Sequence, residues 1–146
     1  MTAIEYLNRL ITLDKEINNK LQRLETLREI ANSTSAPNSG EKVQCSRQKS
    51  PLENIVAKIV DLDREIDGKI DELVDLKAEL WELLGNMSDE RYRNVLWMRY
   101  AENKTMRQIA IAKNRTKRHI RRLHAQAAVE FKKIFENNKN VPPMSS

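Results

Sequence analysis

A chain of 146 residues with 40% hydrophobic, 32% charged and only 5% aromatic residues, and with 3 Gly and 4 Pro, has the makeup of long helices rather than of sheet. Its single cysteine, Cys45, excludes a disulfide framework and a cysteine zinc site; two histidines cannot complete a metal site alone, and no apolar run approaches the ~20 residues of a membrane span. The net charge of +5 divides unevenly: residues 51–87 carry 4 basic and 10 acidic groups, net −6, whereas residues 88–146 carry 14 and 5, net +9, which points to different partners for the two regions.

In chain order, the first periodic segment runs from about Thr2 to Ala31. Ala3, Leu10, Ile17, Leu24 and Ala31 recur every seven residues, flanked by Tyr6, Leu7, Leu13, Leu21 and Leu27, which predicts a helix of coiled-coil character. The opening MTAIEYLNRL lacks the basic stretch and apolar run of a signal peptide, so a soluble, reducing, cytoplasmic setting is expected. Residues 32–50 lose the periodicity and are rich in Ser, Asn, Thr, Pro and Gly, the composition of a connection between helices. Cys45 lies there with no base beside it and reads as an incidental thiol.

Ser50-Pro51 with Glu53 supplies an N-cap, an N1 proline and a capping box, and opens a second helix expected over Pro51–Leu84. Leu52, Ile59, Ile66, Leu73 and Leu80 form an unbroken heptad row, and Ile55, Leu62, Leu76 and Leu83 a companion row broken at Lys69. At ~1.5 Å per residue the helix is about 50 Å long. Gly85-Asn86 should end it. The two long helices can pair as a hairpin within the chain or join two chains as a homodimer, and the pattern accommodates both. Residues 1–86 thus form a coiled-coil half, residues 87–137 a second domain, and residues 138–146 a tail.

The second domain is expected to open with Ser88 as N-cap, Asp89 and Glu90 in the first turn, and Met87 with Tyr92 as a hydrophobic staple, the helix ending near Glu102-Asn103. Thr105 and Gln108 form a capping box before Ile109, Ala110 and Ala112. Lys113-Asn114 makes a tight turn, and Thr116 caps a helix whose apolar stripe is Ile120, Leu123, Ala127, Phe131 and Ile134. Two helices joined by so short a turn form a helix-turn-helix. Trp81 and Trp97 read as packing residues, and His124 as helix surface.

Between Lys104 and Arg122 stand eight cations and no acid: Lys104, Arg107, Lys113, Arg115, Lys117, Arg118, Arg121 and Arg122. Like charges such as Arg118 with Arg121 and Arg122 destabilise an isolated helix, and phosphates and guanine edges would relieve the repulsion. The residues expected to contact DNA are these eight with Thr105, Thr116 and His119.

Residues 88–129 resemble the C-terminal promoter-reading domain of bacterial sigma factors. The resemblance is carried by Arg93-Asn94-Val95-Leu96 with Arg99-Tyr100, by Thr105 with Ile109-Ala110, and by Thr116 with Ile120 and Leu123. It implies that Lys117, Arg118, His119, Arg121 and Arg122 face DNA, although sigma factors often place an acid where Arg118 stands, so their base preference is not implied. The DNA-melting and main polymerase-binding regions of a sigma factor are absent. Over most of residues 1–135 the chain, with LENIVAKIVDLDREIDGKIDELVDLKAEL followed by RYRNVLWMRY, resembles the ArpU/RinA-like transcriptional regulators of phages and prophages of Gram-positive bacteria. That resemblance implies control of late, packaging and lysis genes with a promoter as partner; host RNA polymerase is a candidate partner, with no contact to it legible in the sequence.

No glycine-rich phosphate loop, GxSxG or HExxH occurs, and the carboxylates Asp67, Asp71 and Asp75 recur at i,i+4 as on a solvated helix face, so no enzyme, cofactor or metal is expected. The expected fold is all-α. The expected function is a sequence-specific DNA-binding regulator; the alternatives are a packaging factor like a phage small terminase subunit, which also joins a helix-turn-helix to a coiled coil, and an adaptor whose acidic helix binds a basic protein.

Overall fold

A computed structural model describes residues 1–34 and 50–140. Cys45 and the end of the expected tail, residues 141–146, lie outside the described residues. The fold is all-α, with no strand among the described residues. Its helices are α1 (Ala3–Thr34), α2 (Pro51–Leu84), α3 (Glu90–Leu96), a π-helical segment (Trp97–Ala101), α4 (Met106–Lys113) and α5 (Lys117–Asn140). α1 continues three residues past the expected Ala31, and α5 reaches Asn140, inside the expected tail.

The helix starts are built by local side chains. Thr2 Oγ1 accepts from the Glu5 N–H and Glu5 returns the bond to the Thr2 N–H, both at 3.2 Å, a capping box at the head of α1. Ser50 Oγ accepts from the Glu53 N–H at 3.1 Å at the head of α2. The cap of α3 is Asp89, not Ser88: its carboxylate accepts from the Arg91 N–H at 2.9 Å and also holds the Arg91 guanidinium. A carboxylate that bonds the helix backbone and pairs a first-turn cation outcompetes a neighbouring hydroxyl. Asp89 is held below the usual carboxylate range chiefly by its hydrogen bond from the Arg91 side chain.

The described residues form two compact units. The smaller comprises residues 15–72 and is an antiparallel pair of helices, the ends of α1 and the start of α2, packed within one chain. Leu24, Leu62 and Ile66 are its buried core, with Leu27 and Ile59 against them. Lys20–Glu65 (2.6 Å) and Lys69–Glu16 (3.3 Å) bridge the helices along the seam, and Arg28–Asp63 does so at 3.7 Å. These pairs fix register more than they stabilise, since exposed ion pairs contribute at most about 1 kcal/mol.

The larger unit joins residues 1–14 to residues 73–140. Tyr6, Leu7, Leu10 and Leu13 on α1 and Leu80, Leu83 and Leu84 on α2 are buried here, together with Val95 and Leu96, Ile109 and Ala110, and Ile120, Leu123, Ala127, Phe131 and Phe135. The α5 residues fall at the 3.6-residue period of one face. Phe131 and Phe135 pack on Tyr6 with ring centroids 6.3 and 5.2 Å away, and the Tyr6 hydroxyl donates to the Leu76 carbonyl at 2.9 Å. Burial pushes the Tyr6 phenol well above its ordinary range, with Glu79 adding to the shift.

Trp81 is not a core residue. It is 65% exposed because Leu80, Leu83 and Leu84 occupy the inward side of α2; its ring meets Trp97 edge-on at 5.2 Å. His124 is not on the surface either. It is half-buried, with Nε2 2.8 Å from the Tyr100 hydroxyl, and burial followed by the nearby Arg99 charge lowers its pKa below the ordinary histidine value. Above about pH 6.5 both folded and unfolded chains carry a neutral imidazole. Below it the unfolded chain takes up a proton that the folded chain resists, so stability falls as pH drops. Thermal unfolding from pH 7.5 to pH 5 should therefore show a larger loss of melting temperature in the wild type than in His124→Gln, which cannot titrate. Parallel curves would show that His124 is not the responsible group.

Candidate nucleic-acid interface

The helix-turn-helix is set by three backbone devices. Thr105 caps α4 in a full capping box, Oγ1 accepting from the Gln108 N–H at 3.1 Å and Gln108 Oε1 accepting from the Thr105 N–H at 2.8 Å. Asn114 ends α4 in the left-handed conformation (φ 56°), and the Arg115 N–H bonds back to the Ala110 carbonyl at 2.9 Å. Thr116 Oγ1 then accepts from the His119 N–H at 3.0 Å and starts α5. Asparagine is used the same way at Asn103 (φ 54°), which follows the π-helical segment; its side-chain amide donates to Asp14 of α1 at 2.9 Å.

Two arginines of the RYRNVLWMRY stretch are occupied by the scaffold. Arg93 Nη1 donates to the Met87 carbonyl at 2.5 Å and Arg99 Nη1 to the Lys104 carbonyl at 3.2 Å, tying down the chain before α3 and before α4. Lys104 itself is half-buried and pairs with Glu102 at 3.1 Å. The hydroxyls of Thr105 and Thr116 serve the caps.

The other expected contact residues remain available. Arg107, Lys113, Arg115, Lys117, Arg118, Arg121 and Arg122 are exposed, and among the described residues none has an acid within ion-pair distance. Ile120 and Leu123 are buried, so on α5 the arginines at 118, 121 and 122 necessarily point outward. His119 is half-buried at the edge of that face. Beside it a cavity of about 290 Å³ opens between α3 and the start of α5. Arg91, Asn94, Lys113, Arg115 and His119 surround it over a floor of Val95, Ile120 and Leu123. Sequence reasoning did not single out Arg91 and Asn94 as contact candidates, since they stand outside the basic run and no local spacing links them to it.

Among the described residues no helix is long and apolar enough to cross a membrane, and no group of three or more His, Cys, Asp or Glu could hold a metal ion.

An all-α chain in which a long acidic helix precedes a capped, basic helix-turn-helix is what a family model covers from the end of α1 to the last third of α5. The chain belongs to the family described as Protein of unknown function (DUF1492), whose model matches residues 32–132. No curated protein and no solved structure matches the chain.

Proposed function

We propose that this protein is a sequence-specific DNA-binding transcriptional regulator. The observation that carries the reading is the set of seven exposed cations, none with an acid at ion-pair distance among the described residues, on a helix-turn-helix whose start, turn and second helix are fixed by Thr105, Asn114 and Thr116. A second helix with its apolar stripe buried and its arginines outward is the element that enters a major groove. The resemblance of residues 88–129 to the promoter-reading domain of sigma factors, and of the longer chain to ArpU/RinA-like regulators, supports a promoter of phage or prophage late genes as the target. It also supports action in the bacterial cytoplasm beside the host polymerase. The reading assigns no catalytic residue and no cofactor.

Footprinting on phage DNA, followed by binding titrations on the protected duplex and a scrambled one, tests it. Four to six phosphate contacts give a log–log salt slope of about −4 to −5. Arg118→Ala or Arg121→Ala should cost about 1–3 kcal/mol on the protected duplex and much less on the scrambled one, because only base edges differ between them. Arg107→Ala should weaken both alike and lower the slope by about one unit. Salt-insensitive binding would sink the proposal. Protection confined to a packaging site by a ring of many copies would mark a packaging factor instead.

A further inference from the structure

We propose that the cleft between α3 and the start of α5 is a further phosphodiester contact, one that grips the DNA strand running along the His119–Gln126 flank of α5; it rests on the DNA-binding reading above. A helix with its side chains is about 10–12 Å across and the major groove about 12 Å wide, so a helix seated there has one strand along each flank. His119 and Gln126 are two turns apart on one flank. Tyr92 Oη donates to Gln126 Oε1 at 3.1 Å there, fixing α3 beside α5, and the cavity opens on the same side.

Three cations from three different elements converge on it: Arg91 from α3, Lys113 from the end of α4 and Arg115 from the turn. Arg91 is shared with Asp89, but Lys113 and Arg115 have no acid at ion-pair distance among the described residues, and an anion in the cavity relieves their mutual repulsion. Arg91 is already ordered for the task. Its Nε and Nη2 donate to Asp89 at 3.2 and 3.0 Å, and Nη1 lies outside that fork. A guanidinium held by a carboxylate loses less rotamer freedom when it meets a phosphate. The apolar floor of Val95, Ile120 and Leu123 suits the sugar of a backbone rather than a base edge, so the contact carries no sequence preference.

The test uses the full chain and a random-sequence duplex of about two helical turns, with affinity measured by fluorescence anisotropy over a range of salt. Arg91→Ala should flatten the log–log slope by about one unit, and Arg91→Lys, which keeps the charge, should restore most of it. Asn94→Asp, which adds a negative charge to the cleft, should weaken binding several-fold. Circular dichroism on each variant confirms folding, since Asp89 still caps α3 through the Arg91 backbone N–H. If the wild type binds with a steep slope and both Arg91→Ala and Asn94→Asp match it, the cleft contact is overturned and the DNA reading stands. If the wild type shows no salt-dependent binding, both fall.

Discussion

Replacing Phe131 by Ala should destabilise the protein by about 3–5 kcal/mol, a large share of the 5–15 kcal/mol that ordinarily separates folded from unfolded chains. Phe131 is fully buried, and it stacks on Tyr6 from α1 while touching Phe135 at 6.0 Å. Truncation removes the ring from between α5 and the first turns of α1 and leaves a cavity that the aromatic cluster cannot close without moving Tyr6, whose hydroxyl is tied to the Leu76 carbonyl. Denaturant unfolding of the purified variant measures the cost. A loss below 1 kcal/mol would mean that the start of α1 does not pack on α5 in solution.

The second large effect belongs to the smaller unit. Ile66→Asp places a carboxylate among Leu24, Leu62, Leu27 and Ile59, where it finds no cationic partner in the core. An unpaired buried charge costs several kcal/mol, a large penalty for a core built on Leu24, Leu62 and Ile66. Far-UV circular dichroism should show loss of helix from residues 15–72. The near-UV signal of the Trp81–Trp97 pair, which lies in the other unit, should persist. Unchanged helicity would show that the heptad seam is not buried. Unit-wide loss of both signals would show that the two cores unfold together.

Much of the fold is legible because its signals are local. The seven-residue rows, Ser50-Pro51, the Thr105–Gln108 pair, Asn114 and Thr116 each act within one turn of themselves, and the helices begin and end where that chemistry puts them. The features that were not legible depend on residues far apart in the chain. Nothing near Trp81 tells that the adjoining leucines take the inward side. His124 looks like surface until Tyr100 is placed against it. Phe135 joins the core only because Tyr6 arrives from the opposite end of the sequence. At the candidate interface, residue type alone does not separate arginines that hold the scaffold, Arg93 and Arg99, from those left facing solvent, Arg118 and Arg121. That division emerges only when the Met87 and Lys104 carbonyls are located. The choice of Asp89 over Ser88 is of an intermediate kind, since both are good caps and the Arg91 side chain decides between them.

The larger unit is assembled from residues 1–14 and 73–140, with the smaller unit's chain inserted between them. During synthesis, Tyr6, Leu7, Leu10 and Leu13 therefore emerge from the ribosome long before α5 exists to cover them. The intervening helix pair is composed of nearer neighbours and can form first, and its closure shortens the loop that must be crossed when α5 docks. The helix-turn-helix therefore becomes complete only after the helix pair that precedes it in the chain. A transcript or chain cut short before Phe131 would yield a product with an exposed apolar helix start, a substrate for degradation rather than a partly working protein.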